Sequence, residues 1–179
     1  MPLLEFEKTA PHYRSMEEAT TFLIKAARNA GVSHLSYWYL QYQDGAPNQV
    51  IWSATYDPAY MNYYMSIFTP LDDPVINGVM ENKFVDWAEW YDVDHLAQKM
   101  DSVAAKYGLS RYGISMPLAA PGDDKIIFSV CVKSNDTDWS HQRTTLALRF
   151  LPFAKEFDNR MRKLVEADQR GTSVFKLSA

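Results

Sequence analysis

The chain of 179 residues lacks most of what a disulfide-bonded, membrane-spanning or nucleic-acid-binding protein requires. A single cysteine, Cys131, excludes a disulfide within the chain and favours a reducing, cytoplasmic setting. No stretch approaches the roughly 18 consecutive apolar residues of a membrane-spanning helix. The net charge of -4 provides no basic excess for holding a phosphate backbone. The composition therefore predicts one globular domain that has no membrane segment and does not itself bind nucleic acid.

Residues with catalytic or metal-binding chemistry are also scarce. The four histidines include no pair at i, i+4, and no cysteine lies near them; they are His12, His34, His95 and His141. The sequence therefore predicts neither a metal site nor another cofactor. Ser115 in "GISMP" lacks the second glycine of a nucleophile elbow. We therefore expect a protein that is not an enzyme.

Three segments carry the apolar periodicity of long helices. Ser15 and Glu18 form a capping-box pattern before the first helix, which Gly31 ends. A second helix is predicted over about residues 93–108. The third runs from residue 140 to about residue 170, and the proline at position 152 predicts a kink or a break in it.

Strand signals alternate with these helices. The segments "SHLSYWYLQYQ" and "QVIWSAT" predict a β-hairpin with a longish loop, and "KFVDWAEW" is compatible with a short strand. The segments "RYGISMPLAA" and "DKIIFSVCVKS" predict a second hairpin. This order of elements predicts an antiparallel sheet with helices on its faces.

What the chain has in excess is aromatic residues, with 11 Tyr and 5 Trp. They concentrate in "YDPAYMNYYMSIFTPLDDP", residues 56–74, where Asp-Pro and Thr-Pro pairs mark the two ends of a helix. Tyr56, Tyr60 and Tyr64 follow each other at four-residue spacing and therefore share one stripe. Either these rings fill a core, or they form a pocket wall with the Asp73 carboxylate as an acceptor at its end.

Together these segments resemble the ligand-binding domain of LuxR-type quorum-sensing receptors, bacterial transcription factors that bind acyl-homoserine lactones. That family carries Tyr-x-x-x-Trp-x-x-x-Tyr, an Asp-Pro nine residues later, a Trp, and then Gly-aliphatic-Thr/Ser-x-Pro-aliphatic. The corresponding residues of this chain are Tyr56, Tyr60, Tyr64, Asp73, Pro74, Trp87 and the "GISMPL" that begins at Gly113. The resemblance covers nearly the whole chain. It implies an α/β/α sandwich with a central antiparallel sheet of about five strands.

The resemblance also implies roles for individual residues. Asp73 would accept a hydrogen bond from the ligand amide, and Tyr56 and Tyr64 would face the acyl carbonyl. Trp87 would pack on the lactone ring, with Trp90 as the alternative because the interval is one residue short. Ser129 would complete the amide site, or else bond its own strand. Pro74 and Gly113 would be structural.

One position departs from the family pattern, because Tyr60 stands where the family has the tryptophan that donates to the lactone carbonyl. A phenol can accept as well as donate, so a variant head group or a shifted pose is expected. Further apolar residues either line the acyl pocket or belong to the plain core: Ile51, Trp52, Phe68, Val75, Val79, Met116 and Phe128.

The resemblance predicts an autoinducer-binding domain over residues 1–170 and a linker over residues 171–179 toward a helix-turn-helix module that this sequence does not contain. The expected partners are a small-molecule signal, a second copy of the chain in a homodimer, and DNA only through that module. Three alternatives stay open. They are a natural receptor without the module that inhibits through mixed dimers, a lactone- or acyl-processing enzyme using Ser115 or Ser129, and an interaction domain whose pocket is filled by its own side chains.

Overall fold

A computed structural model describes residues 13–68, 72–81, 83–93 and 95–168. Helix α1 spans Met16–Ala30, as its signals predict. The Ser15 side chain accepts the backbone N–H of Glu18 at the start, and Gly31 ends the helix with φ 70°. That left-handed conformation is the one glycine adopts without strain.

The five strands form one antiparallel sheet in the order β2-β1-β5-β4-β3. Their bounds are His34–Gln43 for β1, Ala46–Ala54 for β2, Val85–Asp86 for β3, Gly113–Leu118 for β4 and Lys125–Cys131 for β5. Each neighbouring pair is antiparallel. The predicted five-stranded antiparallel sheet is therefore confirmed, including the short strand within "KFVDWAEW".

The first hairpin closes more tightly than predicted. Only Asp44 and Gly45 separate β1 from β2, and their φ angles are 53° and 77°. Two consecutive positive φ angles give the twist that a two-residue hairpin needs, and Asp-Gly is a preferred sequence for it. The predicted longish loop is wrong because the residues after Gly45 already pair with β1, across an irregularity between Gln41 and Tyr42.

The described residues form five further helices: α2 over Pro58–Ile67, α3 over Pro74–Met80, α4 over Trp87–Trp90, α5 over His95–Lys106 and α6 over Asp136–Asp168. Helix α6 begins four residues before the predicted start and runs through Pro152 without a break. Pro152 removes one backbone donor, which frees the carbonyl of Leu148. Both residues are exposed, so water can bond that carbonyl. The predicted helix end at positions 69–70 lies outside the described residues, although α2 already ends at Ile67.

The sheet separates two apolar cores, which confirms the predicted α/β/α sandwich. Helices α1 and α6 cover one face, and α2 to α5 cover the other. Strand residues alternate between the two cores. Three residues predicted as possible pocket liners, Ile51, Met116 and Phe128, belong to the core under α1 and α6. They point away from α2, so that interpretation of them is wrong.

Candidate functional site

A small cavity lies between the sheet and helices α2 to α4. Its wall contains all three stripe tyrosines together with Asp73, Trp87 and Ser129. The space open to the centre of a water-sized sphere is about 40 Å³. One water needs at least about 10–15 Å³ by this measure, so the cavity holds a few water molecules or one small polar group.

Tyr56, which precedes the cap of α2, and Tyr60 and Tyr64 of α2 lie side by side along one wall of this cavity. The ring centroids of Tyr56 and Tyr60 are 5.7 Å apart, and those of Tyr60 and Tyr64 are 6.0 Å apart. Asp57 begins the helix by accepting the backbone N–H of Ala59, and proline follows it at the first helical position. Four-residue spacing on this helix places Tyr60 and Tyr64 on one side, and Tyr56 extends the aromatic wall from the residue before the cap.

Asp73 closes the end of the wall and begins α3. Its Oδ1 accepts the backbone N–H of Val75 at 2.8 Å, and its Oδ2 accepts the hydroxyl of Tyr64 at 2.8 Å. Pro74 occupies the first helical position, where no backbone donor is needed. Burial raises the pKa of the Asp73 carboxyl, and the hydrogen bonds from Tyr64 and the α3 backbone lower it in part. Asp73 thus combines a cap with an acceptor that faces the cavity.

Three serines form a row across the floor of the cavity. Ser36 on β1 pairs with Ser129 on β5, which pairs with Ser115 on β4. All three are buried. The Tyr56 hydroxyl donates to Ser36 Oγ at 2.9 Å, and Ser115 Oγ lies 2.7 Å from Ser129 Oγ. The sheet register therefore places one hydroxyl group on each of three neighbouring strands.

Trp87 is fixed above this row. Its Nε1 donates to Ser115 Oγ at 2.8 Å. An indole N–H can only donate, so the proton of Ser115 is free to point toward Ser129. A Cβ atom on Gly113 would lie 2.4 Å from the Trp87 ring, which no folded structure tolerates unchanged. Glycine at position 113 thus gives the indole its place on the sheet.

Two hydroxyls of the cavity wall have no hydrogen-bond partner within the described residues. They belong to Tyr60 and Tyr91, and each of these residues is only 7% exposed. Burial raises the pKa of both phenols, and the negative charge of Asp73 is the next cause for each. Buried hydroxyls normally have partners. These two hydroxyls are therefore available to a bound molecule, together with the hydroxyl protons of Ser36 and Ser129, for which the described residues provide no acceptor.

Some residues predicted for the site lie behind the cavity wall. Trp52 stacks on Trp38 at 6.0 Å, and Phe68 packs against Tyr64 at 5.8 Å. Trp90, the alternative to Trp87, packs against Gly78. Neither Trp52 nor Phe68 reaches the cavity, because Trp38 and Tyr64 stand between. Val75 does line it, whereas Val79 packs in the core beside it.

Several residues of the wall are absent from the sequence-based prediction. Ser36 and Tyr91 were not predicted, and Ser115 was considered only as a nucleophile. No local signal marks Tyr91. The serine row depends on which strands are neighbours, and the nearly uniform apolar run "KIIFSVC" does not indicate which face Ser129 occupies.

The serines have no base beside them among the described residues. His34 contacts the Thr55 carbonyl oxygen through Nδ1 at 3.2 Å, whereas His95 and His141 are exposed. No histidine lines the part of the cavity wall that is described. Within the same residues, no group of three His, Cys, Asp or Glu side chains is arranged to hold a metal, and no helix is both long and apolar enough to cross a membrane.

The sequence of residues 15–161 matches the family model of the autoinducer binding domain. The chain belongs to that family. Autoinducer-binding domains are the ligand-sensing domains of LuxR-type quorum-sensing regulators, and they bind signals rather than catalyse reactions. The predicted family and the predicted signal-sensing function are thereby confirmed.

Solved structures agree with the fold of this autoinducer-binding domain. One is the N-acylhomoserine lactone dependent LuxR family transcription factor CepR2 from Burkholderia cenocepacia, with 15% identity, a TM-score of 0.62 and 94% of each chain covered. A second is SdiA from Escherichia coli, with 20% identity and a TM-score of 0.61, covering 92% of this chain and 66% of SdiA. A third is SdiA in complex with octanoyl-rac-glycerol, with 18% identity and a TM-score of 0.55, covering 96% of this chain and 75% of that one. No curated protein sequence matches the chain.

Proposed function

We propose that this domain binds an uncharged amphiphilic signal, an acyl-homoserine lactone or a related molecule, with the head group in the cavity beside Asp73. The observation that carries the proposal is the Asp73 carboxylate, which lines the cavity and whose Oδ2 has the Tyr64 hydroxyl as its one donor among the described residues. A head-group N–H or O–H can use the remaining lone pair. No Lys, Arg or His lines the described wall, so an anionic head group would lack a partner.

The apolar part of the signal would enter the core next to the head-group cavity. Met61, Val75, Ile76 and Leu109 line this end. Because the cavity holds only a few waters, an acyl chain has to displace these side chains, and methionine adapts readily to such repacking. A ligand that fills this core binds the folded chain and not the unfolded one. It therefore raises stability by mass action.

The ligands named for two proteins of similar fold support the same class of signal, although they do not identify the signal of this domain. CepR2 is described as dependent on an N-acylhomoserine lactone, and SdiA has been solved with octanoyl-rac-glycerol. Both ligands are amphiphiles with a compact, uncharged polar end. We infer that the signal of this domain has the same general form.

We further propose that the domain acts as a homodimer and influences DNA only through a separate module. Helix α6 exposes Leu148, which is 65% accessible. Leu148 is the large exposed apolar residue that the described part of α6 offers, so it is the position at which we test contact with a second copy. Leu148→Glu should shift the domain toward the monomer in analytical ultracentrifugation. An unchanged dimer would remove this face of α6 from the interface.

Thermal unfolding with N-octanoyl-homoserine lactone tests the signal-binding proposal. At about 100 times Kd the ligand contributes about 2.7 kcal/mol, which raises Tm by roughly 5–10 °C for a domain of this size. The octanoate anion serves as the charge control and should leave Tm unchanged. Asp73→Asn should reduce the shift, whereas Asp72→Asn, an exposed neighbour with the same change of charge, should not. No shift with a panel of neutral acyl lactones, amides and esters would refute the proposal.

A further inference from the structure

Helix α4 is short, yet it carries two residues of the cavity wall. Trp87 is its first residue, and Tyr91 directly follows its last. An isolated helix of fewer than about 12 residues is marginal in water, so a helix as short as α4 cannot hold its own position. The places of both aromatic side chains therefore depend on the contacts that fasten α4 to the rest of the fold.

A buried carboxylate fastens the start of this helix from outside the cavity. Asp86, which is only 8% exposed, caps α4 by accepting the backbone N–H of Ala88 at 3.0 Å. Trp139 Nε1 lies 2.9 and 3.0 Å from the two oxygens of that carboxylate, and Arg143 Nη1 donates to Oδ2 at 2.6 Å. Arg143 also forms an ion pair with Glu89, within α4 itself. These two donors therefore hold both the cap and the body of α4.

Both donors belong to helix α6, which covers the opposite face of the sheet. Trp139 and Arg143 are one helical turn apart and therefore face the same way. Strand β3, at the edge of the sheet, brings the carboxylate to them: Asp86 pairs with Ile114, whose side chain lies in the core under α1 and α6. The next residue, Trp87, lies in the other core. Two consecutive residues at this edge therefore connect α6 to the cavity wall.

We propose that Asp86, Trp139 and Arg143 form a positioning cluster that keeps the two aromatic wall residues of α4 in place for ligand binding. None of the three is among the described residues that line the cavity, so the cluster acts through α4 and does not touch the signal. Binding sites lose affinity when the contacts that support them loosen. Arg111 also holds α4, by donating to the Ala88 carbonyl at 3.0 Å. The inference rests on the proposed function, because it assumes that the signal occupies the cavity.

Arg143 is the member of the cluster to substitute, because it is partly exposed and its variants should fold. Arg143→Met keeps a long side chain and removes both ion pairs, whereas Arg143→Lys keeps the charge. Arg149→Met is the matched control, since Arg149 lies on the same helix but donates to the Ala30 carbonyl after α1. Because Arg111 remains in all of these variants, loss of Arg143 should loosen α4 without releasing it.

Titration calorimetry of the full 179-residue chain with N-octanoyl-homoserine lactone measures the effect on binding. It is performed at a temperature at which circular dichroism shows every variant folded, so that a loss of stability alone does not change the affinity. Arg143→Met should weaken binding about 3- to 30-fold. Arg143→Lys and Arg149→Met should both stay within about 2-fold of the parent chain.

The indole N–H resonance of Trp87 reports the position of α4 without any ligand. Its absence from the spectrum of Trp87→Phe identifies it. Arg143→Met should shift this resonance, because the 2.8 Å hydrogen bond from Trp87 Nε1 to Ser115 Oγ depends on where α4 lies. Arg143→Lys should move it back toward the parental position, and Arg149→Met should leave it unchanged.

The two measurements separate this inference from the proposed function. A shifted resonance together with weaker lactone binding supports the positioning cluster. An unmoved Trp87 resonance, or parental affinity in Arg143→Met, overturns it even if the variant is less stable, while the proposed function stands. If the parent chain does not bind the lactone, the inference also falls, and the wider panel of neutral lactones, amides and esters decides whether the proposed function falls with it.

Discussion

Asp73 provides the sharpest prediction, because substitutions can separate its structural role from its binding role. As a cap it accepts the backbone N–H of Val75 at 2.8 Å, and as a wall residue it accepts the Tyr64 hydroxyl at 2.8 Å. Alanine removes both interactions. Losing the cap costs about 1 kcal/mol, and leaving the Tyr64 hydroxyl unpaired costs about 1–3 kcal/mol. Asp73→Ala should therefore lower the free energy of unfolding by about 2–4 kcal/mol, or roughly 4–16 °C in Tm.

Asparagine should have a different effect. It caps helices as well as aspartate does, and its amide can exchange hydrogen bonds with Tyr64. Burial raises the pKa of the Asp73 carboxyl above its ordinary 3.8, so the folded chain retains a proton that the unfolded chain has lost. Stability therefore falls as pH rises from about 4 through the folded pKa. Asp73→Asn removes this loss and should match or exceed the parent at pH 7.

The assay is urea unfolding of the three proteins at pH 5 and pH 7, followed by titration with the best-binding probe. The expected pattern is an asparagine variant that is stable but binds about 10- to 100-fold more weakly, because a neutral acceptor replaces a charged one. If Asp73→Asn destabilises the chain as much as Asp73→Ala does, the negative charge of Asp73 is itself required for stability. If asparagine binds the probe at parental affinity, Asp73 is not the acceptor.

Three further substitutions test the surroundings of the cavity. Gly113→Ala should lower the free energy of unfolding in urea by about 3 kcal/mol, because its Cβ would lie 2.4 Å from the Trp87 ring. In a Trp87→Leu background the same substitution should lower it by less than about 1 kcal/mol. An equal loss in both backgrounds would show that the Trp87 ring is not the cause. Ser115→Ala should cost about 1–3 kcal/mol and shift the Trp87 indole N–H resonance, since it removes the acceptor 2.8 Å away. Tyr37→Phe removes the hydroxyl that donates to buried Asp158, whose pKa is already raised by burial. Without that hydrogen bond the pKa of Asp158 should rise further, so the variant should lose stability relative to the parent as pH rises from about 4 to 7. A loss of stability that is the same at every pH would contradict this prediction.

The parts of this fold that the sequence predicts depend on contacts between residues close in the chain. Ser15, Asp57 and Asp73 each accept a backbone N–H within three residues of their own position. Such caps are visible in a sequence because the interacting groups are adjacent. The starts of α1, α2 and α3 were therefore predictable, and so was the shared side of Tyr60 and Tyr64 on α2.

The composition of the cavity floor was not predictable in the same way. Strand β5 is buried on both faces, so its residues show no alternation between apolar and polar side chains. Phe128 and Ser129 are equally compatible with either core until the neighbours of β5 are known. The contact between Trp87 and Ser115 spans 28 residues and depends on the same sheet register. The face each residue occupies is thus a property of the assembled sheet.

Some donors of the cavity wall already have protein acceptors, whereas other hydroxyl groups of the wall are available to a ligand. The resemblance to the family rests in part on Tyr56, Tyr64 and Trp87, and in this chain the donor of each has a protein acceptor. These three hydrogen bonds are made within the protein and do not need a ligand. Tyr60 and Tyr91 have no such partner among the described residues, and the serine row also has hydroxyl protons without an acceptor there, so a bound molecule can form new hydrogen bonds at each of these groups. Ligand preference should therefore depend on these available hydroxyls as well as on the residues of the motif.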